Sequence, residues 1–328
     1  MLKFLLRRVA NSLVLVVLAT SLAYLLAGAT LNPRARFEGR NPPPPPEVVD
    51  RQLDQLNLND KTPLLKRYWH WAKGVVHLDF GKTVQGDNVN DELGRRMGVS
   101  LRLLLIATIL GGFLGVAVGA WGAIRQYKFS DQAMSLASFA ILSTPVIVLG
   151  IVFQVIAVKI NDAAGHKIFE YSGEYTPGLG GSGYFAHFGD RLQHLVLPSL
   201  VLVLGEAAIL SRYQRSAMLD VLSADYVRTA QAKGLRRRTA LVKHALRTAL
   251  IPSATYFAYS FGTVLVGATL TEKIFGWHGM GEYAVDSITS ADTNAVAAVA
   301  AITAIFILVA GLLSDVAYAL LDPRVRVD

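Results

Sequence analysis

Few residues in this chain have the type and spacing that chemistry requires. Glu206 stands in the apolar run VLVLGEAAILSRY, and an ionisable carboxyl near the middle of a lipid-length segment is costly enough to be a functional candidate. It either lines an aqueous path or pairs inside a helix bundle, for example with Arg212 or an arginine of another chain. One such acid is too little for a proton relay. Gly81-Lys82-Thr83 has the ending of a phosphate-binding loop, yet position 76, which that loop needs as glycine, is Val76. His166, His187, His194, His244 and His278 lack metal-ligand spacing such as H-E-x-x-H, and there is no cysteine for a thiolate site, a disulfide or a nucleophile. No paired groups converge by sequence as a hydrolase would need, so the chain is expected to catalyse no bond cleavage and to bind no metal.

The informative stretch is DYVRTAQAKGLRRRTALVKHALRTALIP, Asp225 to Pro252. Ser223 or Asp225 can cap a helix whose first turn holds an acid and whose later turn holds Lys233, as the helix dipole prefers. Gly234 supplies a left-handed stop, and a second helix follows from about Arg237. A plain topogenic loop or a lipid-bound amphipathic helix would carry the same charge. Neither has a need for the small residues Thr229, Ala230, Ala232 and Gly234 in one cluster, which suits close approach by another protein's backbone.

The elements that must position this stretch are apolar. The 328 residues are 52% hydrophobic and 17% charged, with mean hydropathy +0.39, a balance that predicts an all-α polytopic membrane protein. Six spans are expected, at roughly 9–30, 99–124, 133–158, 194–213, 251–271 and 295–320, each near the ~20 residues a bilayer crossing takes. The first is read as a retained helix rather than a cleaved signal peptide, because its apolar run exceeds an ordinary signal core. Asp315, near the inner end of the last span, is expected to snorkel or to pair structurally.

The net charge of +8 is better explained by topology than by nucleic acid. With both termini inside, sixteen of the 32 Lys and Arg fall on short cytoplasmic segments, against four on the short outer ones. The long segment between the first two spans, 31–98, is then an exoplasmic insertion. It opens on a polyproline spacer, NPPPPPEVV. EVVDRQLDQLNL and PLLKRYWHWAKGVVHLDFG follow with helical apolar spacing. Tyr68, Trp69 and Trp71 either lie at the membrane interface or form a small exoplasmic core. The expected organisation is 1–30 as terminal segment and first span, 31–98 as insertion, and 99–328 as core, with 223–250 a cytoplasmic loop.

That loop closely resembles the one in permease subunits of binding-protein-dependent ABC importers. Their pattern is Glu-Ala-Ala, three residues, Gly, nine residues, then hydrophobic-x-Leu-Pro. The matching register here is Arg228-Thr229-Ala230, Gly234 and His244-Ala245-Leu246-Arg247, with the Glu and the final Pro replaced. Glu206-Ala207-Ala208 is a decoy, since Arg212 stands where the Gly is needed. DYVRTAxAKGL followed by HALRxALIP resembles the dipeptide/oligopeptide/nickel branch. The likeness runs from LKFLLRR through STPVIVLG, HLVLPSL, SRYQRSAMLDVLSADYVRTA and TEKIFGWHGMG to LDPRVR, in a B-type pattern. At residues 278–281 the branch usually has Pro-Gly-Leu-Gly, and this chain has His278-Gly279-Met280-Gly281.

The resemblance implies a six-helix type I ABC importer permease fold in a bacterial inner membrane. It implies pairing with a C-type permease, two ATPase subunits or domains that hold ATP and Mg, and an extracytoplasmic solute-binding protein delivering peptides or, alternatively, nickel chelates, glutathione or another small solute. The insertion is expected to contact that binding protein or to cover the outer mouth. Arg228 to Leu235 would be the coupling helix: Ala230 and Gly234 for close approach, Leu235 as an apolar knob, Thr229 in the small-residue cluster, and Arg228 and Lys233 as rim contacts. Pro145, Glu206, Gly262 and Gly267 are the candidates for the translocation path. No cofactor is expected on this chain itself.

Overall fold

The computed structural model describes residues 2–38, 41–42, 44–178 and 184–321. Among them the chain is helical, and the one β-type contact is a bridge between Lys82 and Asn88. In chain order the helices are α1 (Leu2–Thr30), α2 (Ala35–Glu38), α3 (Pro46–Gln55), α4 (Leu64–Val76), α5 (Val89–Ile124), α6 (Phe129–Ser143), α7 (Val146–Ala164), α8 (Tyr184–Leu222), α9 (Asp225–Ala232), α10 (Arg237–Ala240), α11 (Arg247–Phe275), α12 (Met280–Thr289) and α13 (Thr293–Leu321). A π-helical turn, Leu241–Leu246, joins α10 to α11.

Five of these helices, α1, α5, α7, α8 and α13, are long and apolar enough among the described residues to cross a membrane. The expected fifth span lies within α11, whose 29 residues reach about 43 Å but whose central side chains are outside the described set. So are the side chain of Asp315 and the LDPRVR motif beyond Leu321.

The third expected span is corrected. Residues 133–158 are not one helix: α6 stops at Ser143, Thr144 is extended (φ −93°, ψ 123°), and Pro145 (φ −55°, ψ 140°) opens α7. Proline disfavours α geometry in the residue before it and suits a helix start. Pro145 therefore ends one helix and begins the next, and α7 alone has the length to span.

The chain forms two compact units. One holds residues 1–100 and 278–309, the other 101–277 and 310–328. In the first, Tyr24 of α1 stacks on Trp71 of α4 at 4.6 Å, in a core that also holds Phe80, Leu93 and Tyr283. The Trp71 indole donates to the Phe80 carbonyl at 3.1 Å. The proline run ends by starting a helix, since Pro46 is the first residue of α3. A second cluster, Phe37, Val49, Leu53, Leu56, Leu58 and Val84, sits under α2 and α3. Arg34 braces it by bonding Asp50 at 2.6 Å and Asp60 at 2.8 Å. The Val84 N–H donates to Asp292 at 2.7 Å, tying the segment to the start of α13.

The second unit is organised around α8. Along α5 the glycines 111, 115 and 119 recur every fourth residue and face α8 directly. A methyl built on Gly111 would lie 2.8 Å from the Glu206 Cβ, one on Gly115 2.8 Å from the Leu210 Cβ, and one on Gly119 against the Ser211 carbonyl. Small residues at this spacing let two backbones approach within side-chain distance, which is how helices associate where lipid removes the hydrophobic drive. On its other sides α8 meets α6, α7 and α11. Ala157, Leu197, Val201 and Phe275 form the contact shared by α7, α8 and α11.

This seam predicts a contrast within one helix. Gly119→Ala should destabilise the folded protein by about 1–3 kcal/mol through overpacking. Gly94→Ala, where nothing lies within 4 Å, should be neutral or slightly stabilising because alanine is the better helix former. Thermal unfolding of the two variants in the same detergent checks it, and equal effects would contradict the close approach.

Candidate functional site

The α8–α11 connection carries the site. α9 has no side-chain cap: Ala224 is extended at the N-cap position, Ser223 donates instead to the Asp220 carbonyl at 3.2 Å, and Asp225 is the first helical residue. The expected cap by Ser223 or Asp225 is thus corrected, although the acid in the first turn is present and complements the dipole. The C-terminal end follows the expectation closely. Gly234 has φ +92°, its N–H donates to Gln231 at 2.9 Å, and the Leu235 N–H donates to Ala230 at 3.2 Å. Together these make a Schellman stop, a conformation that costs glycine least.

A buried stripe fixes how α9 faces. Val227 is 1% exposed and packs with Met218 of α8, Ala123 of α5, and Leu241, Ala245 and Ala249 of the π turn and α11. Ala230, three residues on, lies on the same side and is 9% exposed. It seats α9 against its own chain, which corrects the expectation that Ala230 offers itself to a partner. Arg228, Thr229, Ala232, Lys233, Gly234 and Leu235 are all exposed. So is Tyr226, an outward aromatic that the sequence reading passed over. A Cβ on Gly234 would meet nothing within 4 Å, so within this chain the demand for glycine there comes from the backbone alone.

Two polar contacts brace the base of this loop. Asp131 at the start of α6 takes Arg215 of α8 in a two-pronged pair, at 2.7 Å to Nε and 2.8 Å to a terminal nitrogen, and also accepts the Tyr127 N–H at 3.0 Å. The Arg215 guanidinium holds the Asp131 carboxyl below the usual carboxylate range, against the opposing effect of burial. Ser253 of α11 donates to Gln214 of α8 at 2.5 Å, with both side chains buried. Tyr213 and Tyr256 stack beside them at 4.5 Å. Sequence reasoning missed both braces, since their members lie 84 and 39 residues apart and no local pattern joins them.

The other candidates fall elsewhere. Glu206 is 3% exposed, with its stem against Gly111 in the α5–α8 seam. Arg212 lies over the Phe139 ring at 4.5 Å. Pro145 stands at the α6–α7 break, and Gly262 and Gly267 lie on the backbone of α11, with their surroundings outside the described side chains. Gly81-Lys82-Thr83 is a structural turn: the Thr83 hydroxyl accepts the N–H groups of Gln85 and Asp87 at 3.2 and 3.1 Å. Among the described residues no group of three or more His, Asp or Glu side chains could hold a metal.

The apolar stripe thus seats α9 on the bundle and leaves its other face exposed. Residues 111–327 match the family described as binding-protein-dependent transport system inner membrane component, and the chain belongs to that family. It is 51% identical over 327 residues, 100% of each chain, to the oligopeptide transport system permease protein OppB of Mycobacterium tuberculosis (strain CDC 1551 / Oshkosh). Similarity to the oligopeptide permease AppB of Bacillus subtilis (strain 168) is 33% over 283 residues, 85% of each chain. For the glutathione transport system permease GsiC of Escherichia coli O1:K1 / APEC it is 31% over 282 residues, again 85% of each. The family resemblance drawn from residues 228–247 and their flanking motifs is borne out.

The Asp131–Arg215 brace gives a second prediction. Asp131→Ala leaves a partly buried guanidinium without its carboxylate and should cost about 3 kcal/mol, read as a lowered unfolding temperature. Because the folded-state pKa of Asp131 is depressed, the pair's contribution is present above the ordinary carboxylate pKa and is lost as pH falls through the depressed value. The difference between wild type and Asp131→Ala should therefore shrink in acid.

Proposed function

We propose that this chain is the B-type permease subunit of an ATP-driven importer of oligopeptides or dipeptides, forming half of the translocation path in a bacterial inner membrane. The observation that carries the reading is α9: a short helix turned by Val227 and Ala230 so that Arg228, Thr229, Ala232, Lys233, Gly234 and Leu235 face away from its own bundle. A carrier or channel working alone has no use for such a face. Full-length similarity to an oligopeptide permease supports peptides as the solute. The glutathione permease among the relatives supports a second reading, a small peptide-like thiol, with nickel chelates the more distant alternative.

In this reading six spans cross the membrane, with α11 supplying the fifth and both termini on the cytoplasmic side, where the Lys and Arg bias puts α9. A C-type permease completes the path. Two ATPase subunits or domains bind ATP and Mg, and one of them receives α9 in a groove; an extracytoplasmic binding protein delivers the solute to the opposite face. Closure of the ATPase pair moves α9. The α5–α8 seam and the Asp131–Arg215 and Gln214–Ser253 braces transmit that displacement to the spans, which alternate between inward- and outward-facing states. Pro145, Glu206, Gly262 and Gly267 remain the residues proposed to shape the path.

Two substitutions at one position test the docking. Gly234→Asn keeps a residue that tolerates left-handed backbone and should retain most ATP-coupled peptide uptake. Gly234→Trp adds bulk where this chain has open space, on a left-handed backbone that the side chain also strains, so it should abolish coupling, and co-purification of the variant with its partner permease separates lost docking from a lost fold. Uptake by the reconstituted transporter, with ATP hydrolysis measured alongside, reads both. Unchanged coupled uptake in Gly234→Trp would overturn the docking, and transport by the chain without any ATPase would overturn the importer reading. Mass spectrometry of ligands retained by the partner binding protein separates peptides from the alternatives.

A further inference from the structure

α4 presents three distinct sectors around its axis. One is buried in its own unit, through Leu64, Arg67, Tyr68, Trp71, Ala72 and Val75. At 100° per residue the next sector holds Leu65, Trp69 and Val76, which are 72%, 61% and 81% exposed. The third holds Lys66, His70, Lys73 and His77, all exposed. Lys73 reaches over the Trp69 ring at 5.7 Å. A soluble surface helix has no reason to keep an exposed apolar sector beside its buried one. An apolar sector flanked by a basic one, with tryptophan near their junction, is the composition of a helix lying in a membrane interface.

The depth of α4 points the same way. From Arg8 to Thr30, α1 rises about 33 Å, close to the ~30 Å of a bilayer's hydrocarbon core. The first turns of α4 are held against the last part of α1: Leu64 meets Gly28, Arg67 donates to the Gly28 carbonyl at 3.2 Å, and Tyr68 shares a 2.8 Å hydrogen bond with Ser21. Ser21 lies about 13 Å inside the Thr30 end of α1. The α1 side chains flanking these contacts, Leu18, Leu22 and Leu26, are more than half exposed on the face that meets lipid in a spanning helix.

We propose that α4 is an interfacial helix whose Leu65–Trp69–Val76 sector is sunk among the acyl chains of the leaflet at the Thr30 end of α1. Lys66 and Lys73 then reach lipid phosphates, and the partner of this face is the bilayer itself. The depth of α4 does not depend on peptide transport; only the name of the leaflet, outer, rests on the orientation proposed above. α4 then pins the segment between the first two spans to the membrane surface as well as to α1.

The chain has no cysteine, so single cysteines can be spin-labelled at Leu65, Trp69, Val76 and His70, with Arg51, an exposed residue of α3, as an aqueous reference. The transporter, assembled with cysteine-free partners, is placed in lipid nanodiscs, and collision rates with oxygen and with a water-soluble nickel chelate are measured. Labels at 65, 69 and 76 should collide several-fold more with oxygen than with nickel. The label at 51 should show the reverse, and that at 70 an intermediate ratio. Nickel access at 65, 69 and 76 equal to that at 51 would overturn the proposal. So would exclusion of both reagents there, which would mean that a protein covers the face. These positions are exposed, so labelling removes only surface contacts such as Lys73 over Trp69, and uptake by the same preparations confirms that each variant is folded.

Discussion

The structure depends on the contact between α5 and α8. Gly111, Gly115 and Gly119 bring the two backbones so close that a single methyl would collide with Glu206, Leu210 or the Ser211 carbonyl. In lipid, apolar side chains gain little by leaving their surroundings, so backbone proximity and the dispersion contacts it permits must hold helices together. α8 is also the helix against which α6, α7 and α11 pack. A displacement of α8 is therefore shared with the whole second unit rather than absorbed by one loop.

The connection from this seam to α9 is short and stiff. α8 ends at Leu222, and α9 begins three residues later at Asp225. Val227 then locks it against Met218 and Ala123 of the two seam helices. After the stop at Gly234 the chain returns through the π turn to α11, which the Gln214–Ser253 bond fastens to α8. A force applied to the outward face of α9 thus has two routes into the bundle, one at each end of the loop. π turns and in-helix prolines such as Pro252 are where helices bend, and here both sit at the root of α11.

The helical class, most of the spans and the α9 helix with its stop were legible in the sequence because they depend on local pattern: apolar length and a glycine stop. Pro145 carried the signal for the α6–α7 break, but hydropathy alone merged the two helices into one span. What stayed hidden depends on which face meets which partner. Ala230 reads as a small exposed residue until Val227 shows the direction of the buried stripe. The glycines of GGFLGVAVG were plain to see, yet their register against Glu206, Leu210 and Ser211 needed the third dimension. Sequence alone leaves Tyr68, Trp69 and Trp71 between interface and core, and the structure divides them: Trp71 is core, Tyr68 packs against it, and Trp69 faces out.

In the proposed importer, force enters from an ATPase at the outward face of α9. Cysteine cross-linking to that subunit, in membranes containing the assembled transporter, tests it most directly. Single cysteines at Thr229 and Ala232 should cross-link efficiently, with yields that change between nucleotide-free and ATP-bound states, whereas one at Val227 should not. Absence of any cross-link at 229 and 232 in every nucleotide state would contradict the account.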